Sequence, residues 1–156
     1  MPLQYRQALP SDVPALSRLR ATGWGTEEFW ISRVEGYMNG LSHPQQALPP
    51  RVLYVAQLDL TVVGFIAGHL TRRFGCQGEL EWIDVDPEHR RAGIASALFH
   101  LLAAWFVEHE AFYICVDVDP ANARARSFYK RQGAEELNPH WMVWKDISKA
   151  SPGDSL

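Results

Sequence analysis

The chain has 156 residues, 47% of them hydrophobic and 21% charged, with a formal net charge of -3. That size and composition fit one globular domain burying about 68–70% of its unfolded surface, with no need of a disulfide or metal to hold its core. The slightly acidic balance lacks the basic face nucleic-acid binders use, and no apolar run approaches the ~18 residues of a membrane span, so neither is an expected partner. The opening MPLQYRQALPSD has no apolar segment of the secretory kind, so a cytoplasmic location is expected. Cys76 and Cys115 have apolar or small neighbours and read as buried free thiols.

LQYRQAL alternates as a first strand. SDVPALSRLRATG predicts a helix with Ser11 or Asp12 as N-cap, Val13, Leu16 and Leu19 at helical spacing, and an end near Gly23. TEEFWISRVEGYMNG is a weaker helix with Phe29, Trp30, Val34 and Tyr37 on one side, and the prolines of LSHPQQALPPR mark a loop. β-Branched and aromatic residues predict a hairpin, 52–57 against 62–69, with ELEWIDV as the next strand. Residues 94–109 form a helix apolar around most of its circumference, hence packed on several sides. FYICVDV is a further strand. DPANARARSFYKRQG is a helix with Asp119 as N-cap, Pro120 near its start and Gly133 as its stop. HWMVWKDI is the last strand, and 148–156 a flexible polar tail. This interleaving predicts α/β layers around a mixed sheet, with strand 80–85, helix 94–109 and strand 112–118 as a right-handed parallel crossover. No repeat divides residues 3–147, which read as one domain.

The stretch VDPEHRRAGIASAL combines a strand exit, two arginines, Gly93 and an apolar helix. A helix start presents unbonded N–H groups and partial positive charge, so a phosphate suits it. Gly93 and the small Ala95 keep side chains out of the way, while Arg90 and Arg91 add fork-shaped donors. The pattern is neither the GxGxxG of dinucleotide folds nor the GKS/T of P-loops.

RRAGIA resembles the Arg/Gln-x-x-Gly-x-Gly/Ala signature of the GNAT N-acetyltransferase superfamily, at the strand-to-helix junction where that family carries it. PANARARSFYKRQGA is similar to the family's later motif, with Asn122 and Tyr129 seven residues apart on one helical face. YRQALPSDVPALSRLRA resembles its first strand and helix, and the likeness runs over residues 3–147. It implies GNAT-like α/β/α layers, with six or seven mostly antiparallel strands and a splayed parallel pair in the middle. It also implies acetyl-CoA as co-substrate and no metal, and admits a homodimer.

By the same resemblance, Arg90, Arg91, Ala92, Gly93, Ile94, Ala95 and Ser96 hold the pyrophosphate. Ile83, Asp84 and Val85 offer backbone to the pantetheine arm, Val85 N–H stabilises the oxyanion, Asn122 contacts the cofactor, and Tyr129 stands near the thioester sulfur. An alkyl amine with pKa ~10 must lose a proton, so a base is needed. Glu81 is the first candidate, then Glu79, then Asp117, one carbon shorter than the glutamate at the matching position of the peptide-acetylating branch. Asp84 lines the acceptor site or lies at a bulge that turns it outward. Trp24, Phe29, Trp30 and Tyr37 fall in the segment that walls the acceptor site, whereas Trp82, Trp141 and Trp144 read as core. His69, His89 and His140 read as structural or exposed. An acidic, aromatic-walled site suits a polyamine, an amino sugar or a peptide N-terminus without choosing among them, and a small-molecule amine is the first expectation. The alternatives are acetylation of a peptide or protein N-terminus, for which the spacing of Asp117, Asn122 and Tyr129 speaks, and a non-catalytic acyl-CoA sensor.

Overall fold

A computed structural model of the protein describes residues 3–150. β1 (Leu3–Gln7), β2 (Ala47–Leu58), β3 (Thr61–Thr71) and β4 (Gly78–Val85) form an antiparallel run. β5 (Ile114–Asp117) joins β4 in parallel, and β6 (Glu135–Asn138) and β7 (Trp141–Trp144) complete the order β1-β2-β3-β4-β5-β7-β6. This is the mixed, mostly antiparallel seven-stranded sheet with a central parallel pair that the sequence implied.

Helices cover both faces. α1 (Val13–Ala21) and α2 (Glu27–Met38) place Leu16, Leu19, Val34 and Tyr37 against Val55, Phe65 and Ala67. α3 (Ile94–Glu108) covers the other face with Leu98, Phe99, Leu102 and Phe106, beside Tyr129 of α4 (Ala123–Arg131). β3 is therefore buried on both sides, Ile66 toward α3 and Phe65 toward α1, which explains its nearly unbroken apolar run. Phe106 presses on the start of β4: a Cβ at Gly78 would lie 2.5 Å from its ring, so only glycine fits there.

Local outcomes differ from expectation where a side chain has a better partner than its own helix. Asp12 does not cap α1 with its side chain. Its carboxylate turns back to accept from the Leu9 N–H at 2.7 Å and from Arg6 of β1 at 2.8 and 3.0 Å, closing a short turn at Pro10–Asp12. α4 is capped by Asn122, whose Oδ1 accepts from the Ala125 N–H at 3.1 Å, while Asp119 serves the preceding turn. The loop expected through residue 51 gives way to β2 at Ala47, because Pro49 and Pro50 fall in a register irregularity between Leu48 and Arg51. β6, a polar edge strand of sequence EELN, had no β-propensity signal to betray it. Residues Ile147–Lys149 form a docked turn with Ile147 and Ala150 buried; the rest of the expected tail, 151–156, lies outside the described residues. No helix among the described residues is long and apolar enough to cross a membrane.

Candidate active site

β4 and β5 pair at Gly78↔Ile114, Glu79↔Cys115 and Leu80↔Val116, and then part. The next step would set Glu81 opposite Asp117; instead a cleft of about 1880 Å³ opens between the strands. On its other side β4 carries a bulge, since Ala67 pairs with Trp82 and Gly68 with Leu80. Glu81 thus has a register partner on neither neighbouring strand. The bulge lies here, not at Asp84, which pairs with Phe65.

One end of the cleft is the joint before α3. Arg91 and Gly93 take positive φ values of 69° and 80°, turning the chain sharply into the helix. A Cβ at Gly93 would meet no atom within 4 Å, so the dihedral rather than crowding is what demands glycine. The first helical bond runs from Ala97 N–H to the Gly93 carbonyl at 3.0 Å, which leaves the N–H groups of Ile94, Ala95 and Ser96 unused; no side chain caps them among the described residues. Arg90, Arg91, Gly93, Ile94, Ala95 and Ser96 line this end, with Asn122, Arg124 and Tyr129 across from them; Ala92 lies in the joint without lining it. Burial and the nearby Arg124 guanidinium lower the Arg90 pKa, as expected of two cations gathered where an anion fits. Tyr129 is buried, and that burial raises its pKa, keeping the hydroxyl protonated.

The other end gathers acids on β4 and β5. Glu79 is only 4% exposed and sits 3.3 Å from Arg73 Nε and 3.5 Å from His69 Nε2. His69, itself fully buried, meets the Tyr37 hydroxyl through Nδ1 at 2.8 Å. Asp84 is salt-bridged to Arg20 at 2.9 Å; burial raises its pKa and the arginine opposes the rise. Glu81 has no such partner among the described residues. Burial, then the charge of Glu79, pushes its pKa up to about 7 against the pull of Arg20 and Arg73, with Asp117 adding to the rise. Asp117 is exposed, and its pKa is raised by partial desolvation. His69, Glu79 and Glu81 each bring one ligand atom within 4.8 Å of the others, and the Arg73 guanidinium already supplies a positive charge to this group.

The aromatic residues are sorted differently from expectation. Trp24 lines the cleft, but Phe29 does not, and Trp30 is buried behind it, donating its indole N–H to the Trp24 carbonyl at 2.8 Å. Tyr37 is core as well. Trp82 and Trp141, expected in the core, line the cleft, and only Trp144 is buried as foreseen. The reason is the bulge at Glu81 and the splay beyond Leu80, which uncover positions a regular central sheet would bury. His89 and His140 also line the cleft. Sequence reading missed Arg20 and Arg73. Arg20 stacks over Trp30 and Trp82 at 4.4 and 5.5 Å, and Arg73 over Trp141 at 4.6 Å. A lone arginine in a helix or turn carries no sign of the carboxylate it will meet; the arginine pair that the sequence marks is Arg90–Arg91, after β4.

Residues 19–134 match the profile described as the Acetyltransferase (GNAT) family. The chain belongs to that family. An uncharacterized N-acetyltransferase of Methanocaldococcus jannaschii is 35% identical over 85 residues, 54% of this chain; the chain spans about half (53%) of that relative's length. Among solved structures, the aminoglycoside N-acetyltransferase AAC(6')-Iy in complex with CoA superposes with a TM-score of 0.71 at 20% identity, over 88% of this chain and 90% of that one. The ribosomal-protein-alanine N-acetyltransferase from Brucella melitensis gives 0.66 at 19% identity, over 90% and 96%. At these identities the likeness is one of fold. The GNAT fold accounts for the splayed pair, and the cleft lies where the two strands part.

Proposed function

We propose that the protein moves an acetyl group from acetyl-CoA to a primary amine by direct transfer, and that the acceptor is a small molecule. The observation that carries this reading is the position of Glu81, unpaired at the strand gap with a pKa near 7, in the same cleft as an uncapped helix start flanked by arginines.

The N–H groups of Ile94, Ala95 and Ser96, with Arg90 and Arg91, hold the pyrophosphate of the donor. Ile83, Asp84 and Val85 present the backbone edge along which the pantetheine arm lies, as an added strand would. Glu81 takes the proton of the incoming ammonium, directly or through a water. With a pKa near 7 it is about half ionised at neutral pH, so it can accept the proton and release it again. Three pKa units separate an amine of pKa ~10 from that condition, roughly 4 kcal/mol that the site must supply by holding the neutral amine beside the carboxylate. The amine nitrogen then forms its bond to the thioester carbon, Val85 N–H steadies the oxyanion, and the C–S bond breaks. Tyr129, kept protonated by burial, passes its proton to the departing sulfur and is reprotonated by the proton that the new amide nitrogen sheds, so the two protons of the ammonium end on Glu81 and on the CoA thiol. Trp24, Trp82 and Trp141 cover the carbon chain of the acceptor.

A peptide acceptor is the second reading. Asn122 and Tyr129 line the cleft at the spacing that branch uses, and the neighbours named above include one acting on an aminoglycoside and one acting on a ribosomal-protein alanine. Thiol release from acetyl-CoA, measured against polyamines, aminoglycosides, amino acids and short peptides, separates the two. A rate with small amines alone supports the proposal, and a rate with peptides alone reverses it. No rate with any acceptor, together with a raised melting temperature on adding acetyl-CoA, turns the reading to a sensor.

A further inference from the structure

Glu79 and Glu81 are two residues apart on β4, both face the acceptor end of the cleft, and both are candidates for the proton acceptor. Their surroundings are opposite. Glu79 is flanked: Arg73 Nε donates to it at 3.3 Å on one side, and on the other packs the His69 ring, anchored through Nδ1 to Tyr37, its Nε2 3.5 Å from the carboxylate without a hydrogen bond. Both His69 and Tyr37 are buried, so this arm cannot swing. Arg73 is fixed in turn by a bond from its guanidinium to the Gln45 carbonyl at 2.7 Å and by its stacking on Trp141. A carboxylate held this way keeps its place through a catalytic cycle. Glu81, on the bulge, has no register partner and no ion pair among the described residues.

Resting on the acetyl-transfer reading, we propose that Glu79 is a positioning residue rather than the base: a carboxylate held by Arg73 and packed against the buried His69 ring, which sets how tightly Glu81 holds a proton. The groups facing Glu81 are Glu79 on its own strand, Arg20 from α1, Tyr37 from α2, His69 from β3, Arg73 from the turn before β4, and Asp117 from β5. Glu79 and Asp117 act to raise its proton affinity, and Arg20 and Arg73 act to lower it. The clamp therefore delivers two opposed charges at fixed positions.

The test reads the proton on Glu81 directly, by carboxyl-carbon NMR titration of the full chain, and in parallel the pH profile of acetyl transfer. In Glu79→Gln the Glu81 titration moves to lower pH, by about half a unit or more, and the plateau rate at high pH stays within about threefold of the parent. In Arg73→Gln the same titration moves to higher pH. A merely structural role for the clamp would not give shifts of opposite sign. Replacing His69 by Ala removes the ring packed against Glu79 and shrinks the displacement that Glu79→Gln produces. The proposal is overturned if Glu81 titrates at the same pH in both Glu79→Gln and Arg73→Gln, or if Glu79→Gln abolishes transfer at every pH as loss of the base does. Opposed NMR shifts in a chain that acetylates nothing would leave the clamp standing and remove the acetyl-transfer reading instead.

Discussion

The two ends of the cleft are built in different ways. The donor end is a few consecutive residues, 90–96, whose function follows from backbone conformation: two positive φ angles, an uncapped helix start, and arginines beside it. The acceptor end is assembled from side chains of α1, the turn before β4, β3, β4 and β5, none adjacent in sequence except along β4. On the proposed reading the first grips a group common to all acyl-CoA molecules; the second arranges charge around one carboxylate. Anion binding by backbone is cheap to encode in a short stretch, whereas tuning a proton affinity needs partners from all round.

Substitutions at each end should therefore touch different quantities. The largest effect belongs to Glu81→Gln: turnover at neutral pH falls about a hundredfold or more, and the rise of kcat/KM with pH through about 7 disappears, while calorimetry finds acetyl-CoA affinity unchanged. The same variant has a stability signature. The folded-state pKa of Glu81 is raised from 4.5 to about 7, so its contribution favours folding fully below the lower value and is lost as pH rises through the upper one. Denaturant titration should find Glu81→Gln more stable than the parent at pH 8, by up to about 3 kcal/mol, an upper limit set by the pKa difference.

Tyr129→Phe comes next, lowering turnover about tenfold with no loss of donor affinity. The effect is modest because a thiolate, with pKa ~8.5, leaves near neutral pH with limited help. At the other end, Arg90→Ala or Gly93→Glu should weaken acetyl-CoA binding about tenfold, about 1.4 kcal/mol, leaving the turnover of the saturated enzyme near normal. The smallest effect is expected from Trp24→Ala, an exposed residue, with a rise of roughly threefold in the KM for the amine alone. A Glu81 variant that lost donor affinity, or an Arg90 variant that lost only turnover, would erase the distinction between the ends.

Legibility followed the same division. The RRAGIA joint, the α3 and α4 patterns and the β2–β3 hairpin needed only local signals, and the parting of β4 from β5 came with the family resemblance. Trp82 and Trp141 were assigned to the core because period-two reasoning assumes a regular strand, and a bulge leaves no mark in the residues GELEWIDV. Phe29 and Trp30 fall in the segment that the family resemblance assigns to the acceptor wall, although helical geometry turns Trp30 inward. The pairing of Asp84 with Arg20, 64 positions apart, could not be read from either neighbourhood. Of the four acids Glu79, Glu81, Asp84 and Asp117, the ion pairs remove Glu79 and Asp84 from contention as free bases, information that exists only once the chain is folded.

The parting of the two central strands also bears on how the protein stays unaggregated. Exposed strand edges invite pairing with other chains. Here the unpaired backbone of residues 81–85 is an inner edge, shielded by α3 on one face and α1 on the other, so it can receive a slender extended molecule but not a foreign β-sheet. The outer edges are blunted by other means: β6 is a four-residue strand carrying Glu135 and Glu136, and β1 spans only Leu3–Gln7 with Arg6 within it. The protein can thus keep a permanent open seam at the centre of its sheet without exposing it to its neighbours in a crowded solution.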